Sequence, residues 1–125
     1  MSPAESHRRA VRDGLGALGV RRLVFGIHDA SFPSGEEDDT GLGSPYSPAG
    51  LGLLRFVRDL GFDGVQLGPQ GVTSEFDPSP YTGAIFSRNT RSISLLRLAR
   101  DPEWLGLLPG AHLEALRERA PAGAQ

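Results

Sequence analysis

Apolar residues gather in short clusters along the chain, and the spacing within each cluster predicts its element. Ser2-Pro3-Ala4-Glu5 is a helix start: Ser2 as cap, Pro3 in the first turn and Glu5 completing a capping box. Ala10, Val11, Leu15 and Leu18 then form an apolar stripe, weakened by Gly14 and Gly16 and stopped by Gly19, so residues 1–19 read as an N-terminal helix. Arg22 to Ile27 is a short run apolar on both faces, as expected of a strand buried in a parallel sheet. A loop from His28 to Tyr46 follows, with a solvated acidic centre, Glu36-Glu37-Asp38-Asp39. Ser47-Pro48 opens a second helix whose buried face is Leu53, Phe56, Val57 and Leu60 and which Gly61 ends. Asp63 to Leu67 is a second strand. Strand, loop, helix and strand make a βαβ unit, which predicts parallel strands joined by a right-handed crossover.

Beyond Gly68-Pro69 a second long loop runs to about Arg91. Ser92 to Leu98 alternates and then turns continuously apolar, so strand and helix both stay open there. Trp104-Leu105 packs somewhere, with Trp104 reading as core, and Pro109 to Arg119 reads as a final helix with Leu113 and Leu116 inside. Ala120 to Gln125 is a small-residue tail expected to fray. No internal repeat is present. Ligands of parallel α/β folds bind at the carboxyl ends of the strands. Each strand is followed by one of the long loops, so both loops should lie side by side on one face.

Composition narrows the function classes. The formal net charge is -2, and the 13 positive side chains, all arginine, are scattered except for pairs such as Arg8-Arg9 and Arg21-Arg22. A nucleic-acid groove needs clustered positive charge, so nucleic-acid binding is not expected. There is no cysteine, which excludes disulfides and thiolate metal sites. Residues 1–12 lack the apolar segment of a signal peptide, and no apolar run approaches membrane-spanning length, so a cytoplasmic location with no membrane association is expected. His7, His28 and His112 lack metal-ligand spacing, so no metal is expected. Glycine and proline, 17 and 10 in the chain, are densest in residues 31–52 and 68–80, which fall largely in the two loops, and long loops in a compact chain often carry function.

Four stretches within those loops and strand ends carry a resemblance. Gly26-Ile27-His28-Asp29-Ala30-Ser31-Phe32-Pro33 is similar to a G-x-L-H-x-T-S-L-P motif, with Ala30 in place of the threonine. Gly41-Leu42-Gly43 is similar to G-I-G before a helix, with Ser44 in place of the following Asp, and Arg55 to Gly61 resembles the helix that follows. Gln66-Leu67-Gly68-Pro69 is similar to a shortened W-Q-x-L-P-x-G-P with Val65 in place of the tryptophan. Ser79-Pro80-Tyr81 with Phe86 and Asn89 is similar to S-P-Y-x-x-x-S-A-F-A-G-N-P, with Thr90 in place of the last proline; Ile93-Ser94-Leu95 resembles the apolar segment after it. Together, in this order, they resemble the 4-alpha-glucanotransferase (amylomaltase, or disproportionating enzyme) family. The resemblance covers about Phe25 to Leu98, and the departures point to a divergent branch.

The resemblance implies an α/β fold, the N-terminal part of a (β/α)8 barrel. It implies one partial barrel segment over 1–125: the N-terminal helix (1–19), the βαβ with its sugar-site loops (22–98) and a helical C-terminal part (99–125). It also implies a ligand, an α-1,4-glucan or maltooligosaccharide, and no cofactor. Family members transfer glucan segments with retention, which needs a nucleophilic carboxylate and an acid/base carboxylate. In the family these lie on later barrel strands, beyond Gln125. A whole barrel typically needs about 250 residues. The expectation is therefore a fragment without catalytic residues, which a downstream barrel chain would complete, or a non-catalytic glucan-binding or regulatory module. Asp29 and Asp77 are the substitutes to weigh for a catalytic pair, but Asp29 reads better as a loop hydrogen-bonding residue and Asp77, before Pro78, as a turn former.

Candidate sugar-binding residues are Tyr81, His28, Ser31, Gln66 and Asn89. An aromatic face stacks on a glucose ring and the Tyr81 hydroxyl adds a hydrogen bond; anchoring the loop is the competing role. His28 could bond a sugar, though a satisfied histidine at a strand end is the plainer reading. Asn89 reads better as fixing the loop backbone, and Gln66, at a strand end, could do either. Tyr46, just before a Ser-Pro helix start, reads as a hydrophobic staple. A third class, nucleotide binding, rests on Gly41-Leu42-Gly43 and Ser44 alone; the missing lysine and the distance from the strand count against it.

Overall fold

The fold is taken from a computed structural model, which describes residues 1–37, 43–74, 76–77, 79–104 and 106–119. The expectations for Asp38, Asp39, Gly41, Leu42, Pro78, Leu105 and the 120–125 tail lie outside the described residues. Helix α1 runs Pro3–Ala17, β1 Val24–Ile27, α2 Pro48–Asp59, β2 Gly64–Leu67, α3 Leu95–Arg100 and α4 Gly110–Arg119. Short 3-10 turns lie at Asp29–Ser31, Pro80–Thr82, Thr90–Ser92 and Pro102–Trp104.

The local signals place the helices. The Ser2 hydroxyl accepts from the Glu5 amide while the Glu5 carboxylate accepts from the Ser2 amide at 2.6 Å, forming the reciprocal box that starts α1. Helix α1 stops at Leu18 and turns away at Gly19. Ser47 caps α2 by accepting from the Gly50 amide at 2.9 Å. Gly61 follows α2 at φ 101°, a left-handed conformation that glycine adopts without steric cost, and it lets the Val11 side chain of α1 lie directly against the backbone. Two ion pairs also join α1 to the βαβ unit, Arg8 to Asp59 and Arg12 to Asp63, each at 3.2 Å. The other oxygen of Asp63 accepts from the Leu23 amide at the entry to β1.

Strands β1 and β2 are parallel, in register from Val24 opposite Gly64 to Ile27 opposite Leu67. The βαβ unit expected from the sequence is therefore present. The larger expectation, the N-terminal part of a (β/α)8 barrel, is not: among the described residues the sheet has two strands only, and the fold is a small mixed α/β arrangement with four helices. A barrel would continue with a third strand, and the segment available for one takes another form. Thr90–Ser92 is a 3-10 turn, and the Ser94 hydroxyl accepts from the Arg97 amide to cap α3. The leucines and arginines of Leu95–Arg100 are good helix formers, and the helix buries Leu96.

Nor are the strands buried on both faces. Val24 is half exposed, and Gly26 and Gln66 are open to solvent. Phe25 is half-buried and meets Phe62 edge-on at 5.6 Å. Among the described residues the buried apolar side chains are Phe32, Val57, Leu96 and Leu113. Val57 and Leu113 were expected inside; Phe56 and Leu116, also expected inside, are exposed. Trp104 is not core either, because with Tyr46 it borders an apolar depression of about 340 Å³ over Ile93 and Leu98. No helix among the described residues is long and apolar enough to cross a membrane.

Candidate functional site

The two loops after the strands converge on one residue, Asp29. Its carboxylate accepts from the Gln70 amide group at 2.9 Å through one oxygen and from the Ser92 hydroxyl at 2.6 Å through the other. The Ser92 carbonyl in turn accepts from the buried Ser44 hydroxyl. The Gln70 carbonyl accepts from the Asn89 amide at 2.8 Å, and the Asn89 side chain accepts from the Arg91 amide at 3.0 Å. This chain of bonds ties the segment after β1 to the segment after β2, the two that the strand order places on one face. Asp29 is thus a structural acceptor, as its loop position suggested. Asp77 is a turn former: its carboxylate accepts from the Ser79 amide at 3.0 Å and its own amide donates to Ser74.

At the carboxyl ends of the strands lies an open depression of about 620 Å³, lined by Gly26, Ile27, His28, Gln66, Leu67, Gly68, Pro69 and Tyr81. It brings together three of the candidate sugar-binding residues, His28, Gln66 and Tyr81. Gln66 stands opposite Gly26 in the sheet register, and the glycine leaves its side of the floor open. Tyr81 is 72% exposed, and its ring meets that of His28 edge-on, centroids 5.5 Å apart at 87°. An exposed phenol ring beside a strand-end histidine and a glutamine is an aromatic platform with hydrogen-bonding groups around it.

The other two candidates are placed elsewhere. Ser31 and Asn89 line a neighbouring cavity of about 250 Å³ with Asp29, Gln70, Thr73 and Ser92, which shares His28 and Pro69 with the larger depression. Asn89 holds loop backbone there, the role its sequence position favoured. His28 departs from the plain reading: its Nδ1 is sealed from solvent without any hydrogen-bond partner, so it is not a satisfied strand-end histidine. Sequence reasoning passed over Gly68 and Gln70 as site residues. The motif contained Gly68, but only the structure shows the His28 ring lying against it; Gln70 lies outside every matched motif.

The remaining candidates resolve as follows. Ser44 and Gly43 form no phosphate cradle with a free hydroxyl, since the Ser44 hydroxyl is committed to Ser92. Glu37 is bonded to Arg100 at 2.8 Å, and the Glu36 carbonyl accepts from Arg117. Among the described residues no group of three or more His, Cys, Asp or Glu is placed to hold a metal ion. Among the described residues, two carboxyls are held below their ordinary values. Glu5 is lowered by its bonds from Ser2, and Asp101 by its bond from Arg97 and then by the Glu103 amide. Neither lies in the depression. Comparison of the chain with family models, with curated proteins and with solved structures finds no match.

Proposed function

We propose that the chain binds an α-1,4-glucan or maltooligosaccharide in the depression between His28, Gln66 and Tyr81, without itself carrying out glucan transfer. One observation carries the reading: three residues named from separate sequence motifs line a single depression at the strand ends. The motif resemblance to the 4-alpha-glucanotransferases supplies the ligand class, and the reading needs no barrel. A glucose ring has an apolar face that stacks on an aromatic ring and a rim of hydroxyls that bond to polar groups. Tyr81 offers the ring; Gln66 and His28 offer polar groups beside it. Retaining transfer needs two carboxylates about the scissile bond, and the described lining of the depression contains none. Asp29, in the adjoining cavity, has both oxygens engaged, so the proposal is for binding.

Titration with maltotriose in a calorimeter tests this. The expected result is saturable binding that Tyr81→Ala weakens about 2–10-fold, the worth of one aromatic contact, with no glucose or longer maltodextrin formed on long incubation. Unaltered affinity in Tyr81→Ala would remove the platform from the account. Disproportionation of the sugar would overturn the non-catalytic part and make Asp29 and Asp77 the first residues to substitute.

A further inference from the structure

The His28 ring occupies the space that a side chain at position 68 would take. An ideal Cβ on Gly68 would lie 1.9 Å from His28 Nδ1, 2.6 Å from Cε1 and 3.2 Å from Cγ. Only glycine lets the imidazole rest there. Nδ1 is sealed against this backbone with no partner, while on its other contacts the ring meets Tyr81 edge-on. Nε2 also has no protein partner among the described residues, yet it is not among the sealed atoms, which are Arg8 Nε and His28 Nδ1. It is therefore the nitrogen that solvent reaches, on a residue that lines the depression.

We propose that Gly68 is a positioning residue that fixes His28 in one tautomer, with Nδ1 as the unprotonated nitrogen and Nε2–H as a donor presented to the ligand. A neutral imidazole has one N–H to place. On Nδ1 the N–H would be buried with no acceptor, an arrangement native proteins rarely tolerate and one that leaves the donor's desolvation uncompensated. On Nε2 it reaches water or a ligand oxygen. The site thus recognises an acceptor at this point: a sugar hydroxyl or ring oxygen, where the inference rests on the glucan-site reading. Replacing Gly68 by alanine inserts a methyl where the ring lies, so the ring must leave and the donor leaves with it.

Nitrogen-15 NMR of histidine-labelled protein, at a pH where imidazoles are neutral, reads the tautomer directly. The expected result is a single Nε2–H form for His28, with the exposed His7 and His112 showing the mixed tautomers of free histidine. In Gly68→Ala the His28 signals are expected to move to those mixed values while helical circular dichroism is kept, and maltotriose binding to weaken about 2–10-fold, as for one lost hydrogen bond. His28→Phe, which keeps a flat ring without the donor, is expected to weaken binding by the same factor. A proton on Nδ1, a tautomeric mixture in the unaltered protein, or unchanged His28 signals in Gly68→Ala would overturn the inference. If the unaltered protein takes up no maltotriose, the ligand reading fails by itself, and the tautomer and its response to Gly68→Ala still decide the positioning role.

Discussion

Removing the Asp29 carboxylate leaves the Gln70 amide and the Ser92 hydroxyl without their acceptor in a partly buried place. Asp29→Ala should therefore destabilise the protein by about 1–3 kcal/mol, the cost of unmade buried bonds, as measured by urea denaturation. If Asp29 were instead a reacting carboxylate held at the expense of stability, the same change would leave stability equal or higher. At this scale the sequence was informative where a residue's role is local. Asp77 beside Pro78 and Asn89 before a turn could be read as backbone-fixing groups because their partners lie two residues away. The Asp29 bonds span 41 and 63 positions, and no pattern in the chain signals a partner at such distance. The His28 and Gly68 contact was hidden for the same reason.

Elements were legible to the extent that caps and glycines mark them. Ser2-Pro3-Ala4-Glu5 and Ser47-Pro48 each open a helix where they stand, and Gly19 and Gly61 follow the helix ends. The segment from Ser92 to Leu98 was ambiguous by periodicity, because a short apolar run suits a buried strand as well as a helix; the Ser94 cap decides it. Helix α1 has no buried residue, so its capping box and ion pairs matter more than they would in a packed helix. The Glu5 carboxyl is lowered below its ordinary 4.5 by the Ser2 bonds. A depressed carboxyl contributes stability that is present above its unfolded value and lost as pH falls through the folded one. Amide exchange in the first turn of α1 should then accelerate as pH drops below 4.5, once corrected for intrinsic rates. Glu5→Gln, which keeps a capping-box partner, should abolish that change. The Arg8–Asp59 and Arg12–Asp63 pairs are partly exposed and worth about 0.2–1 kcal/mol each. Raising ionic strength to about 1 M, where the screening length is about 3 Å, should increase exchange along α1 more than along α2. Equal change in both would mean that apolar contact, as between Val11 and Gly61, is what holds α1.

At the scale of the molecule the core is thin: among the described residues Phe32, Val57, Leu96 and Leu113 are the buried apolar side chains, while Phe76, Ile85 and Phe86 stand almost fully exposed. Leu113 is the most enclosed, at 1% exposure. Leu113→Ala should cost about 2–5 kcal/mol, a large part of the total stability of a small domain, and thermal unfolding would report it as loss of a cooperative transition. The barrel expectation failed at this scale because a βαβ unit does not specify how many strands follow it; parallel pairing was readable from two apolar runs and a helix, closure was not. The depression survives that correction, since it needs only β1, β2 and the loops behind them. Its central claim is most directly tested by following amide shifts in an NMR titration with maltotriose. The account predicts saturable shifts confined to Gly26, His28, Gln66, Gly68, Tyr81 and their neighbours. No shift at saturating sugar, or shifts confined to the depression between Tyr46 and Trp104, would contradict it.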